Sequence, residues 1–303
     1  MLLVDTSASP RTDEVLVLPD GRRLAYAEYG DPLGAPVMLF HGAPGSRLGW
    51  GLFPGCPFRE GVRLIAPDRP GYGVSDPHRN ATYADWPDDV SALADALQLD
   101  RFAVVGVSSG GPFALACGWK IPHRLTGLAV VSSVSPLTPE ARGDVARGIG
   151  MLYTMGRRAP WLLRLNMQLS GLMFRRNPER YIAKTEYQLA GADREAYAKE
   201  KVRLAVTGIM RNGFTSDNLA VADDLIRQSR PWPFELSEVK TRVRLWQGLD
   251  DRIIPPSMGR YMQKHLPDCD AEFIRDAGHL WHIEHMGDVL DALVGRTLKG
   301  ETS

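Results

Sequence analysis

The chain has 303 residues, 44% of them hydrophobic and 24% charged, with 36 Lys and Arg against 36 Asp and Glu. That length suits one large α/β domain or a core with an insertion, and the balanced charge leaves no overall field to hold a polynucleotide, which argues against nucleic acid as a partner. Cys56, Cys117 and Cys269 form neither a CxxC site nor a disulfide framework, and the first twenty residues hold no signal-like apolar run. No uncharged apolar stretch of eighteen residues occurs either, so the expectation is a cytoplasmic protein without a spanning helix.

In chain order, Glu14–Leu18 and Arg23–Tyr29 alternate around Pro19-Asp20-Gly21 and predict a β-hairpin. Val37–Phe40, Arg63–Ala66, Phe102–Val107 and Leu125–Ser132 are short β-rich runs bounded by turn residues. Between the last three lie helical patterns: Trp86, Val90, Leu93 and Leu97 share a face, and a second helix opens at Gly110. Strand alternating with helix predicts a mainly parallel sheet covered on both faces.

From Pro136 to about Glu235 helical periodicity takes over, broken at Ala159-Pro160 and Asn177-Pro178. This stretch carries 16 Lys/Arg against 11 Asp/Glu and five of the ten methionines, Met151, Met155, Met167, Met173 and Met210. Afterwards Val243–Gln247 and Ala271–Ile274 predict strands, Ser257–Leu266 a helix, and His282–Leu298 an amphipathic helix. The expected organisation is a core of residues 1–135 and 236–303 with a helical cap of residues 136–235.

Gly106-Val107-Ser108-Ser109-Gly110 fits G-x-S-x-G only with Ser108 at its centre, since Val107 stands where centring on Ser109 needs glycine. A strand that turns into a helix within one residue lifts a serine Oγ clear of the sheet, and side chains two residues away on either side would collide there. Glycines at 106 and 110 remove that collision, and the backbone N–H of Ser109 then faces a developing oxyanion. The alternative is a structural serine in a tight turn. A nucleophilic serine needs a base, and the base an orienting acid. In such folds acid and histidine follow late strands in that order. Here "GLDDRIIP" follows Val243–Gln247 and "RDAGHLWHIEH" follows Ala271–Ile274.

With these segments in place the chain resembles the α/β-hydrolase superfamily over nearly its whole length. "LFHGAPGS" at Leu39–Ser46 is similar to the family's HGxP loop, and "APDRPGYGVSDP" at Ala66–Pro77 to its D-R-x-G-x-G-x-S segment. The elbow, a G-x-x-D-x-x-x-P loop and a late Gly-His follow in family order. The resemblance implies a sheet of about eight strands, a cap, and no cofactor. It implies Ser108 as nucleophile, His279 as base, and Ala43 and Ser109 as oxyanion-hole donors. It also implies Asp251 as the acid, three residues after Gly248 and four before Pro255, leaving Asp250 as a solvated turn residue. Some relatives carry the acid after the sixth strand, where this chain has Val131-Ser132-Ser133 and no carboxylate. Ser109 departs from the glycine usual after the nucleophile in closely similar members.

The implied activity is hydrolysis of a carboxylic ester or related small acyl substrate through an acyl-enzyme. Two further readings stay open: hydrolysis of a C–C bond beside a ketone, and a small-molecule receptor on the same fold. His279, His282, Glu284 and His285 do not match the H-E-x-x-H metal pattern, and His282 and His285 are expected at an exposed helix start. His41 is expected to hold its loop by hydrogen bonding. Arg142–Arg180 mixes eight arginines with Trp161, Leu162, Met173 and Phe174; a basic membrane-surface role is the alternative, but a solvated lid face is the more economical expectation, with no stable membrane association. Two readings of the five methionines stay open: several line an adaptable pocket under the lid, or they pack between the cap and the core.

Overall fold

The computed structural model describes residues 9–295 except 55, 57–59, 144, 187–188, 190 and 215–217. β1 (Arg11–Val17) and β2 (Arg23–Gly30) form an antiparallel hairpin, closed by Gly21 at a positive φ of 87°. β3 (Ala35–Phe40), β4 (Val62–Pro67), β5 (Phe102–Val107), β6 (Leu125–Val131), β7 (Val243–Gly248) and β8 (Cys269–Ile274) complete one eight-stranded sheet. Its order is β1-β2-β4-β3-β5-β6-β7-β8, parallel from β4 onward, with β2 antiparallel to both of its neighbours.

The central strands are buried on both faces, which is why β5 reads Phe-Ala-Val-Val-Gly-Val without alternation. Met38, Phe40, Ile65 and Val104 pack on one side with α1 (Trp86–Ala96), α2 (Gly111–Lys120) and α10 (Pro256–His265). On the other side Leu39, Val105, Val107 and Val131 meet Met286, Val289 and Leu290 of α11 (Trp281–Val294). Residues 296–298 of the expected last helix lie outside the described residues.

Between β6 and β7 runs a helical insert: α3 (Pro139–Arg142), α4 (Arg147–Arg158), α5 (Pro160–Arg176), α6 (Pro178–Glu186), α7 (Ala192–Ala198), α8 (Glu200–Gly213) and α9 (Leu219–Gln228). Pro160 and Pro178 begin α5 and α6, where a missing N–H costs nothing and φ is preset for the helix. A buried ion pair joins this insert to the sheet. The Arg69 guanidinium, just beyond β4, meets the Asp224 carboxylate on α9; Tyr72 Oη and Arg227 Nη1 each donate to that carboxylate at 2.8 Å. Both cations lie over the Phe113 ring, at 4.7 and 5.4 Å from its centroid.

Candidate active site

β5 ends at Val107, and the next residue, Ser108, takes φ = 53°, a left-handed conformation that a non-glycine residue adopts only under local compulsion. A tight turn over Ser108–Gly110 then passes into α2. A Cβ on Gly106 would sit 2.5 Å from the Gly110 carbonyl oxygen and 2.6 Å from Gly111 Cα, and one on Gly110 would run into the Phe40 carbonyl. The small residues around the serines are therefore a steric requirement of the turn. Ser109 is held differently: its Oγ accepts a 2.9 Å hydrogen bond from Gln228 Nε2 at the end of α9.

Gly42 lies against this turn, so close that a Cβ there would be 3.2 Å from Ser108 Cβ. The 41–43 backbone is set by its hydrogen bonds. Arg69 donates from Nε to the His41 carbonyl (3.0 Å) and from Nη2 to the Gly42 carbonyl (2.9 Å), which also accepts from His41 Nδ1 (2.8 Å). In a trans peptide the N–H points opposite the C=O, so the Ala43 N–H is directed away from the guanidinium. His41 Nε2 accepts the Arg69 amide at 3.2 Å, which requires a neutral ring. Burial, reinforced by the Arg69 charge, holds its pKa well below the ordinary imidazole value.

Asp251 is buried in the loop after β7 and its carboxylate is fully engaged. Oδ1 accepts the amides of Ile253 (2.9 Å) and Ile254 (2.8 Å), while Oδ2 meets His279 Nδ1 at 2.8 Å and Gln247 Nε2 at 3.4 Å. Asp250 beside it is exposed. His279, in the turn between β8 and α11, is buried, which disfavours its charged form. The charge and hydrogen bond of Asp251, with the charge of Asp193, outweigh burial and raise its pKa above the ordinary value.

The chain matches the model of the alpha/beta hydrolase family over residues 37–292. It belongs to that family. It is 25% identical over 283 residues to a 2-hydroxymuconate semialdehyde hydrolase from Pseudomonas putida, covering 89% of this chain and 88% of that one. Its fold is similar to that of a thermophilic esterase from Thermogutta terrifontis (24% identity, TM-score 0.59, 95% and 97% of the two chains). An esterase from Exiguobacterium antarcticum gives a TM-score of 0.68 at 16% identity, over 93% and 98% of the chains.

One residue of this α/β hydrolase, Asp193, has no place in the sequence-based expectations, and a second, His282, departs from them. Asp193, in the first turn of α7, is buried and accepts the amides of Leu280 (2.8 Å to Oδ1) and His279. A Cβ on Gly278 would overlap the Asp193 carboxylate, so glycine before the histidine is what admits it. Burial raises the pKa of Asp193 against the pull of those amides. His282 is not exposed as expected: it falls on the apolar face of α11 with Ile283 and Met286, beneath Phe53. Its Nδ1 meets the His279 carbonyl at 2.7 Å, and burial, with His279 nearby, pushes its pKa down to about 3. His285 turns away to Asp288. Among the described residues no three His, Cys, Asp or Glu side chains converge as a metal site.

The methionines of the insert divide between solvent and packing. Met151 and Met173 face solvent, 65% and 54% exposed, while Met167 packs with Leu163, Ala220 and Ile226 inside the insert. A cleft of about 780 Å³ opens between residues 70–83 and α9, bordered by Arg79, Arg164 and Arg230 and not by Ser108 or His279. None of the helices, among the described residues, is long and apolar enough to cross a membrane.

Proposed function

We propose that this hydrolase cleaves a carboxylic ester or related small acyl substrate through an acyl-enzyme on Ser108, needing no cofactor and acting in the cytoplasm. The observation that carries this reading is the buried Asp251–His279 pair in a chain whose Ser108 stands on a left-handed elbow. Neutral His279 takes the Ser108 proton as Oγ attacks the acyl carbon. The tetrahedral oxyanion is held by the N–H groups of Ala43 and Ser109, and Asp251 stabilises the imidazolium that forms. Collapse expels the alcohol, which leaves with the proton from His279. Water activated by the same imidazole then releases the acid and regenerates Ser108. Residues 136–235 serve as the cap over this centre, supported by the Gln228–Ser109 bond, and Asp193 acts as a positioning residue for the His279 turn.

A fluorophosphonate probe tests the nucleophile. Ser108 becomes labelled, Ser108→Ala abolishes both labelling and turnover, and Ser109→Ala remains labelled. Labelling that survives Ser108→Ala refutes the assignment. The extended similarity to a semialdehyde hydrolase supports a second reading, hydrolysis of a C–C bond beside a ketone. Comparing kcat/KM for p-nitrophenyl esters with that for a 2-hydroxy-6-oxo dienoate discriminates the two. A receptor without turnover leaves both substrates intact.

A further inference from the structure

α5 is apolar on two opposite sides. Leu163, Met167, Gly171 and Phe174 are buried, facing the rest of the insert. On the far side Trp161, Leu165, Leu169 and Leu172 recur at intervals of three or four residues, with Leu162 and Met173 beside them, and all six are exposed. Trp161 is 68% exposed and Leu169 51%. A helix apolar all round is normally buried or in contact with lipid, and a contiguous exposed apolar face of this size marks an interaction surface.

The charge around that face selects the occupant. Residues 147–180 contain seven arginines and one acidic residue, Glu179. Arg157, Arg158, Arg176 and Arg180 are exposed at the two ends of α5, and Arg164 along it is engaged by Asp223. An isologous contact with a second copy would set this basic segment against itself. An anionic bilayer supplies both an apolar layer for the leucines and a negative surface for the arginines, with tryptophan suited to the boundary between them.

We propose that the outer face of α5 is a reversible adsorption surface for anionic phospholipid membranes, with the helix lying in the interface plane. The face is then not the solvated lid surface that its arginine content suggests. Adsorption of this kind needs no spanning segment, and it is independent of which bond the hydrolase cleaves.

The test is flotation of the full-length protein with vesicles of phosphatidylglycerol and phosphatidylcholine, against vesicles of phosphatidylcholine alone, at low and high salt. The wild type is expected to float with the anionic vesicles and to be released by salt, because screening weakens the basic contribution. Leu165→Gln/Leu169→Gln and, separately, Arg157→Gln/Arg158→Gln should each bind at least about tenfold more weakly, the first through lost burial of two leucines and the second through lost attraction of two charges to the anionic surface. Their melting temperatures and turnover of a soluble ester should be unchanged, since all four residues are exposed and outside the site. Wild-type protein that ignores anionic vesicles, or binds neutral ones equally well, overturns the proposal, as do variants that bind like wild type. Sedimentation showing a dimer that the leucine variant disperses assigns the face to a second copy and overturns it too.

Discussion

Asp193 offers a sharp test of how His279, the proposed base, is held, because it touches the His279 turn through backbone alone. Its carboxylate accepts the Leu280 amide at 2.8 Å and also the His279 amide, in a buried site. A hydrogen bond to a charged acceptor contributes about 1.5–3 kcal/mol, and about 1.36 kcal/mol is a factor of ten in rate. Asp193→Ala should therefore lower kcat by about 10- to 100-fold if that free energy is what keeps the turn in its productive position. Asp193→Asn keeps an acceptor and should restore most of kcat. It still removes a negative charge that favours the imidazolium, so the pKa of His279 falls. With the neutral ring as the proposed base, the acid limb of kcat/KM then moves to lower pH. His279 also feels Asp251 and His282, which both variants leave in place. The assay is a pH–rate profile of wild type, Ala and Asn on one soluble ester, with thermal melts to show that all three fold. An unchanged limb in Asp193→Asn together with an unimpaired Asp193→Ala would falsify the positioning role.

Wild-type kcat/KM should fall on the acid side with an apparent pKa above the ordinary imidazole value of about 6.5, since the Asp251 and Asp193 charges outweigh burial; a limb well below that value contradicts the geometry. Asp251→Asn should cost on the order of 10⁴ in kcat, and Asp250→Asn, at an exposed position, far less; comparable losses would mean that the wrong aspartate orients the base. Arg69→Met leaves Asp224 with one fewer partner and should destabilise the protein by about 3–5 kcal/mol in urea unfolding. Arg69→Lys should not rescue it, because one ammonium cannot reach the His41 and Gly42 carbonyls and Asp224 together. Activity should survive EDTA, and loss with recovery on adding Zn²⁺ would reinstate a metal at the histidine cluster.

The sheet was legible because each strand carries its own signal. Runs such as Phe102–Val107 are apolar throughout only because both faces are covered, and turn residues bound them on either side. The contact between Asp251 and His279 was legible through the spacing of the Asp251 loop. Asp193 was not: "GADREAY" reads as the first turn of a surface helix, and the carboxylate is buried only because the insert folds back across 87 residues onto Leu280. The one local trace was Gly278, whose missing side chain is the space that Asp193 fills. His282 did carry a readable signal, since it shares a helical face with Ile283, Met286, Val289 and Leu290. The histidine cluster drew attention to polarity and away from that periodicity. For α5 the apolar content was plain, but with apolar residues on both sides only packing decides which half turns outward.

The insert meets three parts of the candidate site, and each contact is polar and buried. Asp224 engages Arg69, which sets the carbonyls of the 41–43 loop; Gln228 engages Ser109 beside Ser108; Asp193 engages the turn that carries His279. Polar groups buried in this way are costly to separate without water replacing the partner. Swinging the whole insert away as one body would break all three contacts and leave Arg69 and Asp224 apart, at a cost of several kcal/mol. α5, whose buried side chains are apolar and whose inner hydrogen bonds run to Asn218 and Tyr181 within the insert, carries no such tie at the site. Movement within the insert is therefore cheaper than movement about its junctions with the sheet, and it leaves the 41–43 loop, Ser108 and His279 in their mutual arrangement.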